Sequence, residues 1–347
     1  GMSESQQYDY YSRIIEQNNG QMRTGPNERN LLALRRETDT DTRGGRGAYE
    51  VGVLKAYYER DFNFDWIIGT SIGAINAALY AQGDLSVLEE VWTKISSQDV
   101  YKLPSPQHLR RVFFGQRLGF LDTSPLESLL RKHVNLKKLK SSNFQVGFIT
   151  TDLCSLETKV FFKEDINSDE ELVDILMASS AVPLLFPPRI LKGEGCWMDG
   201  GLATNTPIQT AINLGAREVY AVLVEPDPEE ECPASLPKLI ARLIEILLDQ
   251  SARSGITHVS FFNRRHRLNQ MRQEVEDSWC RLGEDTLDSN LQALESELEE
   301  VERVSLFLVK PPIRRTGSLL EIDPVASQWL MRMGYEDAVK GCVHISE

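Results

Sequence analysis

A serine can attack an ester carbonyl when its hydroxyl is held on a sharp turn, a base takes its proton, and N–H donors face the developing oxyanion. The string Gly69-Thr70-Ser71-Ile72-Gly73 offers the turn. Trp66-Ile67-Ile68 before it reads as a buried strand, and the alanine-rich run after it reads as a helix closed by Gly83. Gly69 and Gly73 put hydrogen where side chains would collide as the chain reverses, so the spacing predicts an elbow with Ser71 at its corner. The same string also fits a plain strand-to-helix turn.

A base is harder to find. His108 and His133 precede any acid candidate; His258 and His266 fall in helical stretches; His344 lies near the end of the sequence. Asp199 is better placed, because Gly200-Gly201 allow a tight turn after the short strand near Cys196-Trp197-Met198. An aspartate of ordinary pKa near ~4 is a feeble base toward a hydroxyl, so it needs burial or strong oxyanion stabilisation beside it. Taken by itself it also reads as an aspartate in a glycine turn. For the oxyanion, Gly44-Gly45-Arg46-Gly47 forms a glycine turn running into a helix, an arrangement that exposes N–H groups to an anion. The lysine and Ser/Thr of a phosphate-binding P-loop are missing, so a nucleotide is a poor fit.

The elements that would position these groups follow the chain. Residues 1–30 read as a polar arm; Leu31 to Leu34 open the sheet; a polar spacer, Arg35 to Arg43, precedes the glycines. Val51, Leu54 and Tyr58 fall at helical spacing, and Asp84 to Val100 predicts a helix turning Leu88, Val91 and Trp92 inward. Ser124-Pro125-Leu126-Glu127 reads as a capping box, and Lys137, Lys138 and Lys140 as a solvated basic loop. Phe144 to Thr150, Lys159 to Phe162, Glu218 to Glu225 and Val304 to Val309 predict strands. A helix ends near Ser180, before Ala181-Val182-Pro183, and Pro207 opens another, closed by Gly215. Beyond a Pro- and Glu-rich linker at 226–233, Leu236 to Leu248 is amphipathic, with Leu239, Leu243, Ile246 and Leu247 on one side. Arg264 to Arg267 and Glu295 to Glu302 suit long exposed helices, and Tyr335 to Val339 a terminal one.

Composition narrows the partners. With 347 residues and a formal charge of −13, the chain suits a large α/β domain and offers no basic face for nucleic acid. That charge opposes docking on anionic membranes, although local clusters could still contact them, so peripheral lipid contact is expected to be mainly apolar. The five scattered cysteines indicate neither a zinc site nor a disulfide framework, and reduced thiols in the cytoplasm are the simpler expectation. The longest apolar runs fall short of the roughly 20 residues a spanning helix needs.

Taken together, the glycine turn, G-T-S-I-G, A-S-S-A-V-P with F-P-P, D-G-G followed by N-x-P, and a valine-rich strand resemble the patatin-like phospholipase family across roughly residues 44–225. The resemblance implies a three-layer α/β/α fold with a mainly parallel sheet, and lipid acyl hydrolysis by a Ser–Asp dyad without metal or cofactor. Ser71 matches the nucleophile, Asp199 the dyad acid, and Gly44 and Gly45 fall in the oxyanion loop; Gly69, Gly73, Gly200 and Gly201 support the motifs. It further implies a catalytic core over 31–226, and a C-terminal segment, 227–347, completing the same domain with a late strand. The substrate would be a lipid or acyl ester, its chain lined by apolar residues of 101–120 or of the Leu236 to Leu248 helix.

The loop departs from the family pattern. Aligned on Arg46-Gly47, Thr42 and Arg43 stand where two of the family's three glycines would be. Two further readings follow: a catalytically weakened lipid-binding or interaction protein that keeps the fold, and a Ser-His-Asp hydrolase using one of the late histidines.

Overall fold

A computed structural model describes residues 30–34, 47–115, 117–202, 207–222, 235–282, 304–309, 322–341 and 343–345. Gly44 and Gly45, the arm before Asn30, the polar spacer, the linker at 226–233 and the acidic run Glu295 to Glu302 lie outside them. The strands are β1 (Asn30–Leu34), β2 (Trp66–Thr70), β3 (Gln145–Asp152), β4 (Thr158–Phe162), β5 (Arg189–Leu191), β6 (Glu194–Asp199), β7 (Glu218–Val222), β8 (Ser305–Val309) and β9 (Val343–Ile345). The helices are α1 (Gly47–Glu59), α2 (Ile72–Ala81), α3 (Leu85–Lys94), α4 (Pro106–Phe113), α5 (Ser124–His133), α6 (Leu136–Lys140), α7 (Asp169–Ser179), α8 (Pro207–Asn213), α9 (Leu236–Leu282) and α10 (Pro324–Lys340).

Five neighbouring strands, β3-β2-β1-β7-β8, run parallel, and antiparallel strands finish the sheet at both ends. Side chains alternate across a strand, and β2 shows the consequence. Ile67 joins a core with α1, α2, α5 and α7, whereas Trp66 and Ile68 join one with α8 and Val259 of α9. Both faces of the sheet are thus covered by helices, giving the three-layer α/β/α architecture. Buried on both sides, β2 is almost wholly apolar until Gly69-Thr70.

The junction of β2 and β6 matters most for the site. β3 pairs with β2 through Gln145 to Ile149 and with β4 through Gly147 to Thr151, so those two lie on opposite edges. β6 pairs with Thr150 to Asp152, positions that β4 also occupies, so β6 must share the edge that β2 uses. The two strands meet head-on: Thr70 stands opposite Ile149, and Asp199 opposite Thr150.

Several local expectations change. The amphipathic helix runs on as α9, from Leu236 to Leu282; Leu239, Leu243, Ile246 and Leu247 are exposed, while Ile244, Leu248 and Val259 are buried. Tyr58 of α1 is exposed, although Val51 and Leu54 are buried as expected. Ser124 is the first residue of α5 rather than its cap, because Asp122 accepts its N–H at 3.0 Å. Lys137, Lys138 and Lys140 form a short helix capped by Asn135, with Lys138 paired to Asp84, not a loop. The terminal helix starts earlier, at Pro324, because Asp323 accepts the Ala326 N–H and caps it.

Candidate active site

Ser71 sits at φ 56° and ψ −133°, a backbone geometry that costs an ordinary residue on the order of 1–3 kcal/mol. Its surroundings hold it there. The Ser71 N–H donates to Ser179 Oγ at 3.0 Å, and that hydroxyl donates to the Ile149 carbonyl of β3 at 2.7 Å. From the other side, the Ser180 hydroxyl donates to the Ser71 carbonyl at 3.2 Å, which also accepts the Ala74 N–H at 3.1 Å. The elbow is therefore fastened to the end of α7 and, through Ser179, to β3. Gly69 explains the glycine before it: a Cβ there would lie 2.4 Å from the Gly73 carbonyl oxygen. Among the described residues, the buried Ser71 Oγ has no hydrogen-bond partner. Nothing else occupies the hydroxyl, while α2 begins beside it with N–H groups that a first helical turn leaves unpaired.

Asp199 ends β6 and is buried. Its N–H donates to the Ala181 carbonyl at 3.2 Å, and its Oδ1 accepts the Gly201 N–H at 2.8 Å. Gly200 makes the close approach possible, since a Cβ on it would meet the Ile149 carbonyl and Thr70 Oγ1, each at 2.6 Å. The residue after Asp199 thus touches the residue before Ser71. Upstream, Asp152 fastens β6: its Oδ1 accepts N–H groups from Cys154 at 3.1 Å and Cys196 at 2.9 Å. Burial pushes the Asp152 carboxyl up, but these bonds and one from the Ser155 hydroxyl prevail and hold it below the ordinary aspartate value.

The downstream end of the glycine turn also reaches the elbow. Gly47 opens α1, and a Cβ there would lie 2.8 Å from Ile72 and 2.4 Å from Trp92. Asn76 of α2 pins that start by donating to the Gly47 carbonyl at 3.0 Å and to Glu50 at 2.7 Å, while Trp92 Nε1 donates to Asn76 Oδ1 at 3.0 Å. Gly44 and Gly45 themselves lie outside the described residues. The sequence reading missed Asn76, whose signal is a lone amide in an alanine-rich helix, and missed the bonds of Ser179 and Ser180.

Three of the histidines can be placed by a contact or a strand. A ring nitrogen of His108 contacts the Gly119 carbonyl at 3.0 Å, and one of His258 contacts Gln209 at 2.6 Å. His344 lies on β9, four strand spacings from β2, or about 19 Å. Burial and nearby Lys132 hold His133 below the usual imidazole value. Among the described residues, no cluster of side chains suits a metal, and no helix is long and apolar enough to cross a membrane.

The elbow of Ser71 and the D-G-G turn of Asp199 thus adjoin at the end of the parallel strands, and comparison with known proteins shows what the chain is similar to. Residues 43–212 match the patatin-like phospholipase model, so that segment of the chain is a patatin-like phospholipase domain. It is 27% identical over 185 residues to patatin-like phospholipase domain-containing protein 7 of Rattus norvegicus. It is 30% identical over 184 residues to patatin-like phospholipase domain-containing protein ZK370.4 of Caenorhabditis elegans, and 29% over 188 residues to lysophospholipase nte1 of Aspergillus terreus. These alignments take in 51–52% of this chain but only 11–13% of those proteins.

Proposed function

We propose that the protein is a serine acyl hydrolase of lipid esters that works through a Ser71–Asp199 dyad. Ser71 Oγ attacks the ester carbonyl and Asp199 accepts its proton, then returns it to the departing alcohol. Water adds to the acyl-enzyme in the second half, and the fatty acid leaves. N–H groups of the Gly44-Gly45 turn and of the start of α2 would receive the oxyanion. The catalytic unit would span 31–226, with the C-terminal segment contributing β8. The observation that supports this reading most is the register of β3, which brings Thr70 and Asp199 to consecutive positions along one strand edge.

Hydrolysis of a panel of short and long acyl esters and phospholipids tests the proposal. Asp199→Asn should lower turnover by roughly 10² to 10⁴, the loss expected without a general base. Ser71→Ala should fall at least as far, and the double variant should be barely worse than either, because the two act as a unit. A variant carrying His258→Ala, His266→Ala and His344→Ala should keep its turnover if folded. Loss of activity there, with Asp199→Asn active, would make the base a histidine. The altered glycine run favours a second reading, a lipid-binding protein of weak activity, since one missing oxyanion donor costs on the order of 10² to 10³ in rate. In that case a fluorophosphonate probe fails to label Ser71 in folded protein.

A further inference from the structure

From Tyr101 to Phe120 the chain carries Lys102, Arg110, Arg111 and Arg117 and no acidic residue, within a protein of formal charge −13. All four cations are exposed. The same stretch turns its largest apolar side chains outward: Leu103 is 79% exposed, Phe113 81%, Phe114 71% and Leu118 66%. Its helix, α4, has no buried residue at all, so core packing does not account for it. The Arg110 guanidinium lies 5.8 Å from the centre of the Phe114 ring, which sets charge and aromatic surface together. Of the nearby acids, Asp99 is tied to its own turn at Ser96, whereas Asp122 accepts the Ser124 N–H and also lies within electrostatic reach of Lys102 and Arg117, so Arg110 and Arg111 are the cations farthest from a carboxylate's influence in this stretch.

The stretch is anchored to the candidate site. Phe120 and Leu121 donate their N–H groups to the Leu184 and Leu185 carbonyls at 3.0 and 2.8 Å. Gly119 fits flush against Phe186 and Pro187, where a Cβ would come within 2.5 Å of the Pro187 nitrogen. That neighbouring strip follows closely on Ser179 and Ser180, which hold the elbow, and its Leu184, whose carbonyl receives the Phe120 N–H, is exposed as well.

We propose that residues 101–120 with Leu184 dock the protein on an anionic lipid surface, the phenylalanines and leucines entering the headgroup boundary while Lys102, Arg110, Arg111 and Arg117 meet lipid phosphates. The proposal rests on the acyl-hydrolase reading for its purpose, since it brings the elbow to the lipid. It reverses the expectation from net charge. Exposed charges farther away than a Debye length, about 10 Å at 0.1 M salt, are largely screened, so the local cations decide the contact. An apolar face flanked by basic residues is the pattern of interfacial segments that prefer anionic lipid.

Flotation with phosphatidylcholine vesicles, with and without phosphatidylglycerol, tests this on the full chain carrying Ser71→Ala, which leaves the lipid intact. Vesicles with phosphatidylglycerol should capture it better, and raised salt should release it. Changing Arg110, Arg111 and Arg117 together to Gln should weaken capture roughly 10²-fold, from about 1 kcal/mol per basic side chain near the surface. The same three changed to Lys should retain it. Phe113→Ser with Phe114→Ser should abolish capture by both vesicles while circular dichroism stays unchanged. Equal capture of the parent and the Gln variant overturns the proposal. So does a dimer in solution that the Phe113 and Phe114 changes dissociate, since the patch is then an interface between copies. Capture does not require chemistry, so if the chain with Ser71 intact hydrolyses none of the lipid esters while its Ser71→Ala form floats normally, the hydrolase reading alone is rejected.

Discussion

The elbow and the 101–120 segment handle unfavourable groups in opposite ways. At the elbow, polar atoms are buried and both backbone groups of Ser71 have named partners; in the segment, aromatic and aliphatic side chains face water along a helix with no buried residue. Two residues make the contrast concrete. Ser71 and Leu184 both adopt positive φ, 56° and 65°. Ser71 is fastened by three hydroxyl or amide bonds from α7 and α2, whereas Leu184 lies on an exposed turn whose carbonyl only anchors Phe120. An unusual torsion is informative when its surroundings over-determine it, and ordinary turn chemistry when they do not.

That contrast can be broken most forcefully at Gly200. Gly200→Ala drives a methyl against the Ile149 carbonyl and Thr70 Oγ1, so the junction of β2 and β6 must open. We expect a stability loss of about 1–3 kcal/mol from overpacking and a turnover loss on the order of 10², the cost of an ångström-scale misplacement. Parental melting and turnover would show the junction to be yielding. Ser179→Ala is next. It removes the acceptor of the buried Ser71 N–H and a donor to the Ile149 carbonyl, which should cost about 1–3 kcal/mol in denaturant unfolding. The smallest effect belongs to Leu184→Gly: relief of the left-handed torsion and the added freedom of the unfolded chain should offset to within about 0.5 kcal/mol. A loss as large as that of Ser179→Ala would make the two turns alike.

Much of the site was legible because its signals are local. Strand, G-x-S-x-G and small-residue helix announce the elbow within one stretch, and D-G-G announces a tight turn around Asp199. The head-on meeting of β2 and β6 was not legible, since it depends on which edge of β3 each strand takes, and no residue pattern in either strand encodes that choice. Ser179 and Ser180 were read only as a helix ending before Pro183, because that rule is local whereas their bonds to Ser71 span the fold. In α9 the periodicity named a stripe, Leu239 to Leu247, but the neighbours that bury Ile244 and Leu248 instead are tertiary. Net charge is equally silent on local clusters. A sum over the chain hides a cationic stretch that includes no carboxylate.

The shared edge of β3 also bears on biosynthesis. Ser71 and β2 leave the ribosome long before β6, and at ~5–20 residues per second Asp199 follows roughly 6–26 s later. On the proposed dyad, the nascent chain would hold its nucleophile without its base during that interval. On the dyad reading, lipid hydrolysis is silent until β6 closes against Thr150, which delays the activity until the sheet that carries it is nearly complete.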